Sequence, residues 1–203
     1  MSIRATHGGL EPGQNAVPCV AIDSLDVRHK WVTAFVQRIY LKTYRARIPT
    51  PSLRFLVRFD GEGRVAGAAG LRTASDGFFS EIYLDAPVEA MLRGMGEANA
   101  QRSRIAEICH LVCDDARLTA AFIRSIAIYA HEAGFRWLFF TLTRRLAAYL
   151  VWRKACLVPL GPALAQRIDN VALWGDYYRH EPYVYAVRLM DESRRHQFIF
   201  PAA

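Results

Sequence analysis

Residues 103–113 read SRIAEICHLVC. Ile105, Ile108, Leu111 and Val112 give the stretch the character of a buried strand, yet Glu107 sits near its middle and His110 follows three residues later. Ionisable side chains are costly to bury unless they are paired or put to use. Immediately downstream, DARLTAAFIRSIAIYAHEAGF (115–135) has the pattern of an amphipathic helix with an Asp cap and a closing Gly134. WLFFTLT (137–143) then reads as a second buried strand. A strand, a crossover helix and a strand predict two neighbouring parallel strands.

Upstream, LRFLVRF (53–59) and VAGAAGLRTA (65–74) are strands joined by the turn residues Asp60-Gly61-Glu62-Gly63, which predicts an antiparallel hairpin. A helix precedes them over 27–47, where Trp31, Phe35 and Ile39 repeat at four; Ser24 or Asp26 can cap it, and Pro49 and Pro51 end it. Shorter elements complete the order: a strand at 17–23, a strand-like or extended FFSEIYL at 78–84, and a short helix over 87–96 with proline at its start. A helix over 144–156, a strand or extended segment over 157–164 and a last strand over 183–189 follow. A hairpin leading into a parallel pair predicts an α/β protein, a central mixed β-sheet flanked by helices on both faces.

The chain has 203 residues, enough for one domain with a proper core, expected over 17–190 between a flexible leader (1–16) and a tail (191–203). No apolar run approaches the roughly 20 residues that span a bilayer. The N-terminal residues lack the apolar stretch of a secretory signal. Cys19, Cys109, Cys113 and Cys156 are scattered and lie in mainly apolar segments, which predicts reduced, buried thiols in a cytoplasmic protein and no zinc site. The net charge of +7 fits an acidic partner: nucleic acid, an anionic membrane or an acidic protein such as an acyl carrier. Without a basic tail, zinc finger or RNA-binding aromatic motif, nucleic acid is not expected.

Three segments, FFSEIYLDAPVE, RIAEICHL and LWGDYYRHEPYVYAVRL, resemble the signature segments of the thermostable hemolysin family, over roughly residues 27–190. That family in turn resembles the acyl-homoserine-lactone synthases, which have the GNAT N-acyltransferase fold. Glu107 falls on the glutamate of their Glu-Leu-Ser-Arg-Phe strand and His110 on its arginine, and Arg72 lies two places beyond a matching arginine on the same strand face. The hemolysin family has Gly-Asn where this chain has Cys109-His110, so the resemblance carries no role for His110.

The resemblance implies an N-acyltransferase that moves an acyl chain from a carrier-protein or CoA thioester to a small amine such as an amino acid, with no permanently bound cofactor and no metal. Glu107 and His110 face opposite sides of a regular strand. The β-bulge of GNAT proteins would bring them to one face, with Glu107 as base and His110 as relay. The alternatives are an ion pair of Glu107 with Arg72 or Arg104, and a core histidine. Tyr149 is the candidate acid for the departing thiolate. Arg72 would hold an acceptor carboxylate or a structural salt bridge, and Glu81 an acceptor ammonium or an arginine. Tyr83 is a lining or packing residue. Trp174, Tyr177 and Tyr178 line an acyl tunnel or close the core.

Leu111, Val112 and Cys113 belong to the donor-binding strand, with Arg117 in the loop after it. CDDARL (113–118) has no glycine and two aspartates, a poor cradle for a pyrophosphate. An acyl carrier protein is therefore the favoured donor, with Arg144, Arg145, Arg153 and Lys154 as a docking patch or a solvated basic face. A second reading, from the family's name, is a non-enzymatic lipid- or membrane-acting protein, although its best apolar segment, RRHQFIF (194–200), is too short for an anchor.

Overall fold

Strands with alternating apolar residues and helices with one apolar stripe assemble here into a single sheet covered on both sides. The structure, a computed structural model, describes residues 18–49 and 53–189; the expected leader and tail lie outside them. The strands are β1 (Val20–Ile22), β2 (Arg54–Phe59), β3 (Val65–Arg72), β4 (Ile105–Cys113), β5 (Trp137–Leu142), β6 (Val158–Pro162) and β7 (Tyr183–Arg188). They form one seven-stranded sheet in the order β1-β2-β3-β4-β5-β7-β6. Every pair is antiparallel except β4–β5, the parallel pair expected from the crossover.

The helices are α1 (His29–Tyr44), α2 (Val88–Gly94), α3 (Thr119–Glu132) and α4 (Arg144–Trp152). On one face Ala106, Ile108, Leu138 and Phe140 pack against Phe122, Ile123 and Ile126 of α3 and Leu150 of α4. On the other, Phe55, Val57 and Val112 meet Val32, Phe35, Val36 and Ile39 of α1. Ile105, Phe139 and Ala186 meet Val88 and Leu92 of α2 on that same side. Each buried Leu, Ile or Phe contributes roughly 1.5–3 kcal/mol.

Three local expectations are corrected. FFSEIYL is not a strand: Phe79–Tyr83 is a 3-10 helix, because Glu107 of β4 accepts its first backbone N–H groups. The first helix stops at Tyr44, before Pro49, where Arg45 turns left-handed at φ 54°. Cys156 is exposed and Cys19, Cys109 and Cys113 are only partly buried, although all four cysteines are free.

Candidate active site

The site begins where two strands part. β4 and β5 are paired at Ile105–Trp137, Ala106–Leu138 and Glu107–Phe139, and pairing goes no further. Just beyond, β4 bulges. Gly70 faces Cys109 and Ala68 faces Val112, so the single Ala69 opposes two residues, His110 and Leu111. His110 takes up the extra length at φ 51°, a left-handed conformation uncommon for a side-chain-bearing residue. The bulge lies at His110–Leu111 rather than between Glu107 and His110.

The divergence opens a cleft with two chambers. The larger, about 650 Å³ counting the solvent-open space at its mouth, lies on the α3/α4 side and is walled by Leu111, Ile123, Ile126, Leu138, Leu146 and Leu150. The smaller, about 360 Å³ counted in the same way, is walled by Phe79, Ser80, Tyr83, Cys109 and Trp174. Tyr40, Ile108, His110, Thr141 and Tyr177 line both, so these five residues form the junction.

Glu107 is fully buried beside that junction. Oε2 accepts the N–H of Phe79 at 2.6 Å, and Oε1 accepts the N–H of Ser80 at 2.9 Å and its hydroxyl at 2.6 Å. Arg72 stands opposite in register but makes no ion pair with Glu107: its guanidinium donates to the carbonyls of Asp76 and Gly77, both at 3.3 Å. Burial pushes the Glu107 carboxyl above its ordinary range, against the pull of Ser80, Phe79 and Arg72.

The carboxylate does not itself line the cleft. It reaches the junction through Ser80, whose Oγ lies 2.8 Å from Thr141 Oγ1. Since the Ser80 proton is committed to Glu107, the Thr141 hydroxyl is the donor in that second bond. A hydroxyl at the junction is thus wired to a buried base.

His110 has no hydrogen-bond partner at its buried Nδ1, and its ring meets Tyr40 edge-on at 5.9 Å. Burial, reinforced by the Arg72 charge, lowers its pKa to about 4. At neutral pH it is an uncharged imidazole, a weak base but still an N–H donor.

The aromatic wall is pinned by Gly175. Its φ is 52°, and any side chain there would collide with the carbonyl of Tyr44 at the end of α1. The close approach lets Asp176 N–H donate to Tyr44 and Arg47 N–H to Leu173, both at 2.7 Å. Trp174 consequently stacks on Phe79 (5.9 Å, 22°) and Tyr177 on Tyr40 (6.2 Å, 28°), while the Tyr83 and Tyr178 hydroxyls meet at 2.6 Å.

Of the residues nominated from sequence, His110, Leu111, Tyr83, Trp174 and Tyr177 line the cleft and Glu107 backs it. Others are placed elsewhere. Glu81 spends both oxygens on Arg102, at 2.6 and 2.8 Å, and also accepts the first N–H of α2 from Val88. Arg72 holds a turn, as above. Tyr149 packs on the α3/α4 core and against Trp152, outside the cleft lining. The bulge sends Val112 to the α1 side and Cys113 to the α3 side. Arg117 pairs with Asp115 at 2.8 Å and Arg144 with Glu181 at 3.0 Å; Arg145 is exposed. Ser80, Thr141, Tyr40 and Phe79 were not nominated: lone hydroxyls and helix aromatics carry no spacing signal. Among the described residues no cluster of His, Cys, Asp and Glu could hold a metal ion.

A seven-stranded mixed sheet splayed at its one parallel pair, with a bulge beside the opening, defines a GNAT-like fold. The family model for thermostable hemolysin matches residues 23–192, and the chain belongs to that family. The sequence matches none of the curated proteins with which it was compared. Among solved structures it is similar to the acyl-homoserine-lactone synthase LasI, with a TM-score of 0.59 and 11% identity over 91% of this chain and 97% of that one. It is similar to FeeM, an N-acyl amino acid synthase from uncultured soil microbes, with a TM-score of 0.56 and 13% identity over 84% and 95%. A third is BjaI, a CoA-dependent acyl-homoserine lactone synthase with SAM and isopentyl-CoA, at a TM-score of 0.54 and 14% identity over 91% and 90%.

Proposed function

We propose that the protein is an N-acyltransferase that moves a medium or long acyl group from a thioester to a small amine. The observation that carries this reading is the end of β4–β5 pairing at Glu107–Phe139, which leaves an apolar chamber and a hydroxyl-wired carboxylate meeting at one junction. The acyl chain lies along Leu111, Ile123, Ile126, Leu146 and Leu150, with the thioester carbonyl at the junction. Backbone N–H groups of β4 left unpaired by the splay, together with the neutral His110 ring, suit an oxygen on which negative charge develops.

The amine enters from the smaller chamber. Its ammonium gives a proton to the Thr141 hydroxyl as Thr141 passes its own through Ser80 to Glu107. The freed nitrogen attacks the carbonyl carbon, the C–S bond breaks, and the thiol departs with a proton, leaving an amide. A thiolate is a good enough leaving group that no dedicated acid is needed, which accommodates the position of Tyr149.

The donor is acyl-CoA or an acyl carrier protein, and its use implies a cytoplasmic setting. The test is thiol release from acyl-CoA and acyl-carrier thioesters of graded chain length, with a panel of primary amines and mass analysis of the product. Amide formation that drops in Ser80→Ala and Thr141→Val supports the reading. Lysis of erythrocytes that is undiminished in both variants, with no thioester turnover, would favour a membrane-acting protein instead.

A further inference from the structure

We infer that the outer face of α1 docks the protein on an anionic lipid surface, lying flat at the bilayer interface without crossing it. Residues 27–59 hold eight lysines and arginines and no aspartate or glutamate. The rest of the chain is balanced to within one charge, so the surplus of +7 originates in this one stretch.

The same stretch exposes large apolar side chains. A repeat at four puts Trp31 with Phe35 and Ile39, yet those two are buried while Trp31 is 58% exposed. Trp31, Ala34, Arg38 and Leu41 follow one another at three- and four-residue spacing and are all exposed, so they form one stripe on the solvent side of α1. Leu41 is 50% exposed, and in the turn leading into the helix Leu25 is 96% and Val27 77% exposed. Single exposed apolar residues are ordinary, but four large ones within residues 25–41 form a patch.

Cations flank the stripe. Lys30, Lys42 and Arg47 are exposed and, among the described residues, form no ion pair. The Lys30 ammonium lies 5.9 Å from the Trp31 ring. Arg38 and Arg45 reach Asp114 and Asp176 only at 3.7 and 3.8 Å and stay in contact with solvent. The close pairs, Arg28–Asp26 and Arg54–Asp23, both at 2.6 Å, use the acids of the turn before the helix. An anionic bilayer meets both halves of this pattern: its phosphates take the cations, and its headgroup–acyl boundary takes Trp31, Leu41, Leu25 and Val27. Tryptophan suits that depth, with an apolar ring and a polar N–H. A nucleic acid would satisfy the cations and leave the leucines and the valine in water. Among the described residues no helix is long and apolar enough to cross a membrane, so the contact is peripheral.

The test is co-sedimentation of the full chain with vesicles of pure phosphatidylcholine and with vesicles containing about one-third phosphatidylglycerol. Binding should be at least tenfold tighter to the anionic vesicles at about 0.1 M salt and should weaken at about 1 M. Trp31→Ser with Leu41→Ser, and Lys30→Glu with Lys42→Glu, should each weaken it several-fold without moving the urea midpoint, which separates a lost contact from a lost fold. No binding, equal binding to both kinds of vesicle, or double variants that bind as tightly as wild type overturn the inference. So does a wild-type dimer that Trp31→Ser with Leu41→Ser splits in gel filtration, because a second copy would then cover the face. Release of a dye trapped in the vesicles also overturns it, since surface docking leaves the bilayer sealed. No turnover is read, so the outcome is independent of acyl transfer.

Discussion

Glu107 was conspicuous in the sequence because a carboxylate interrupts an apolar strand, but what satisfies it was not legible. Its three partners come from residues 79 and 80, some 27 positions away, in a segment whose apolar letters resemble a strand. Gln at 107 would point an amide N–H₂ at a backbone N–H, so Glu107→Gln should cost about 1–3 kcal/mol in chemical unfolding as well as activity. Ser80→Ala is the cleaner probe of proton transfer. It cuts the wire yet keeps the carboxylate, and kcat should fall about 100-fold with KM nearly unchanged. His110 gives a stability signature. Its pKa drops from 6.5 to about 4 in the fold, so between those values the unfolded chain holds a proton that the folded chain does not. Its stabilising contribution is therefore present above pH 6.5 and lost as pH falls towards 4. The Arg72 charge and the Tyr40 ring face it, and Glu107 on the same strand, raised by burial, titrates with the opposite sign. The difference between wild type and His110→Asn in urea midpoint isolates the imidazole: it should shrink between pH 7 and pH 4. Asn also accepts the left-handed backbone, so the variant should fold.

At the scale of elements, period-2 and period-3.6 patterns announced the strands and long helices, and the parallel β4–β5 pair followed from the crossover between them. Patterns of this kind report burial, not the point at which two strands separate. Pairing of β4 with β5 ends at Glu107–Phe139 and the extra residue of β4 follows opposite β3, yet nothing in CHLVC marks His110 as left-handed. The 171–180 segment was likewise visible as a dense aromatic run, but its role as a clasp on the end of α1 depends on Gly175. Gly175→Ala places a side chain against the Tyr44 carbonyl at a φ suited to glycine, and should lower Tm by roughly 5–10 °C. On the opposite wall, Leu146 of α4 lines the larger chamber. Leu146→Trp should shift the preferred thioester to shorter chains without reducing turnover on the shortest, measured as thiol release across the chain-length series. An unchanged length profile would move the acyl chain out of that chamber.

For the whole molecule, net charge is the property the sequence states most directly and the one that distinguishes the two donors. Several arginines have acidic partners: Arg117 pairs with Asp115, Arg144 with Glu181 and Arg38 with Asp114. The net charge of the chain is +7. A CoA donor needs its pyrophosphate held, and the loop after β4 offers Asp114 and Asp115 there, the latter already capping the turn at Arg117. An acyl carrier brings one phosphodiester and an acidic surface, which a basic protein attracts before contact. Raising salt from about 0.1 M to about 1 M shortens the screening length from about 10 Å to about 3 Å. The KM for an acyl carrier substrate should then rise at least several-fold at constant kcat, while that for the matching acyl-CoA changes less. Arg145→Glu, reversing an exposed charge on α4, should raise the carrier KM at low salt and flatten its salt dependence. A carrier KM indifferent both to salt and to Arg145→Glu would mean that the surface charge does not select the donor, and acyl-CoA would become the substrate to pursue.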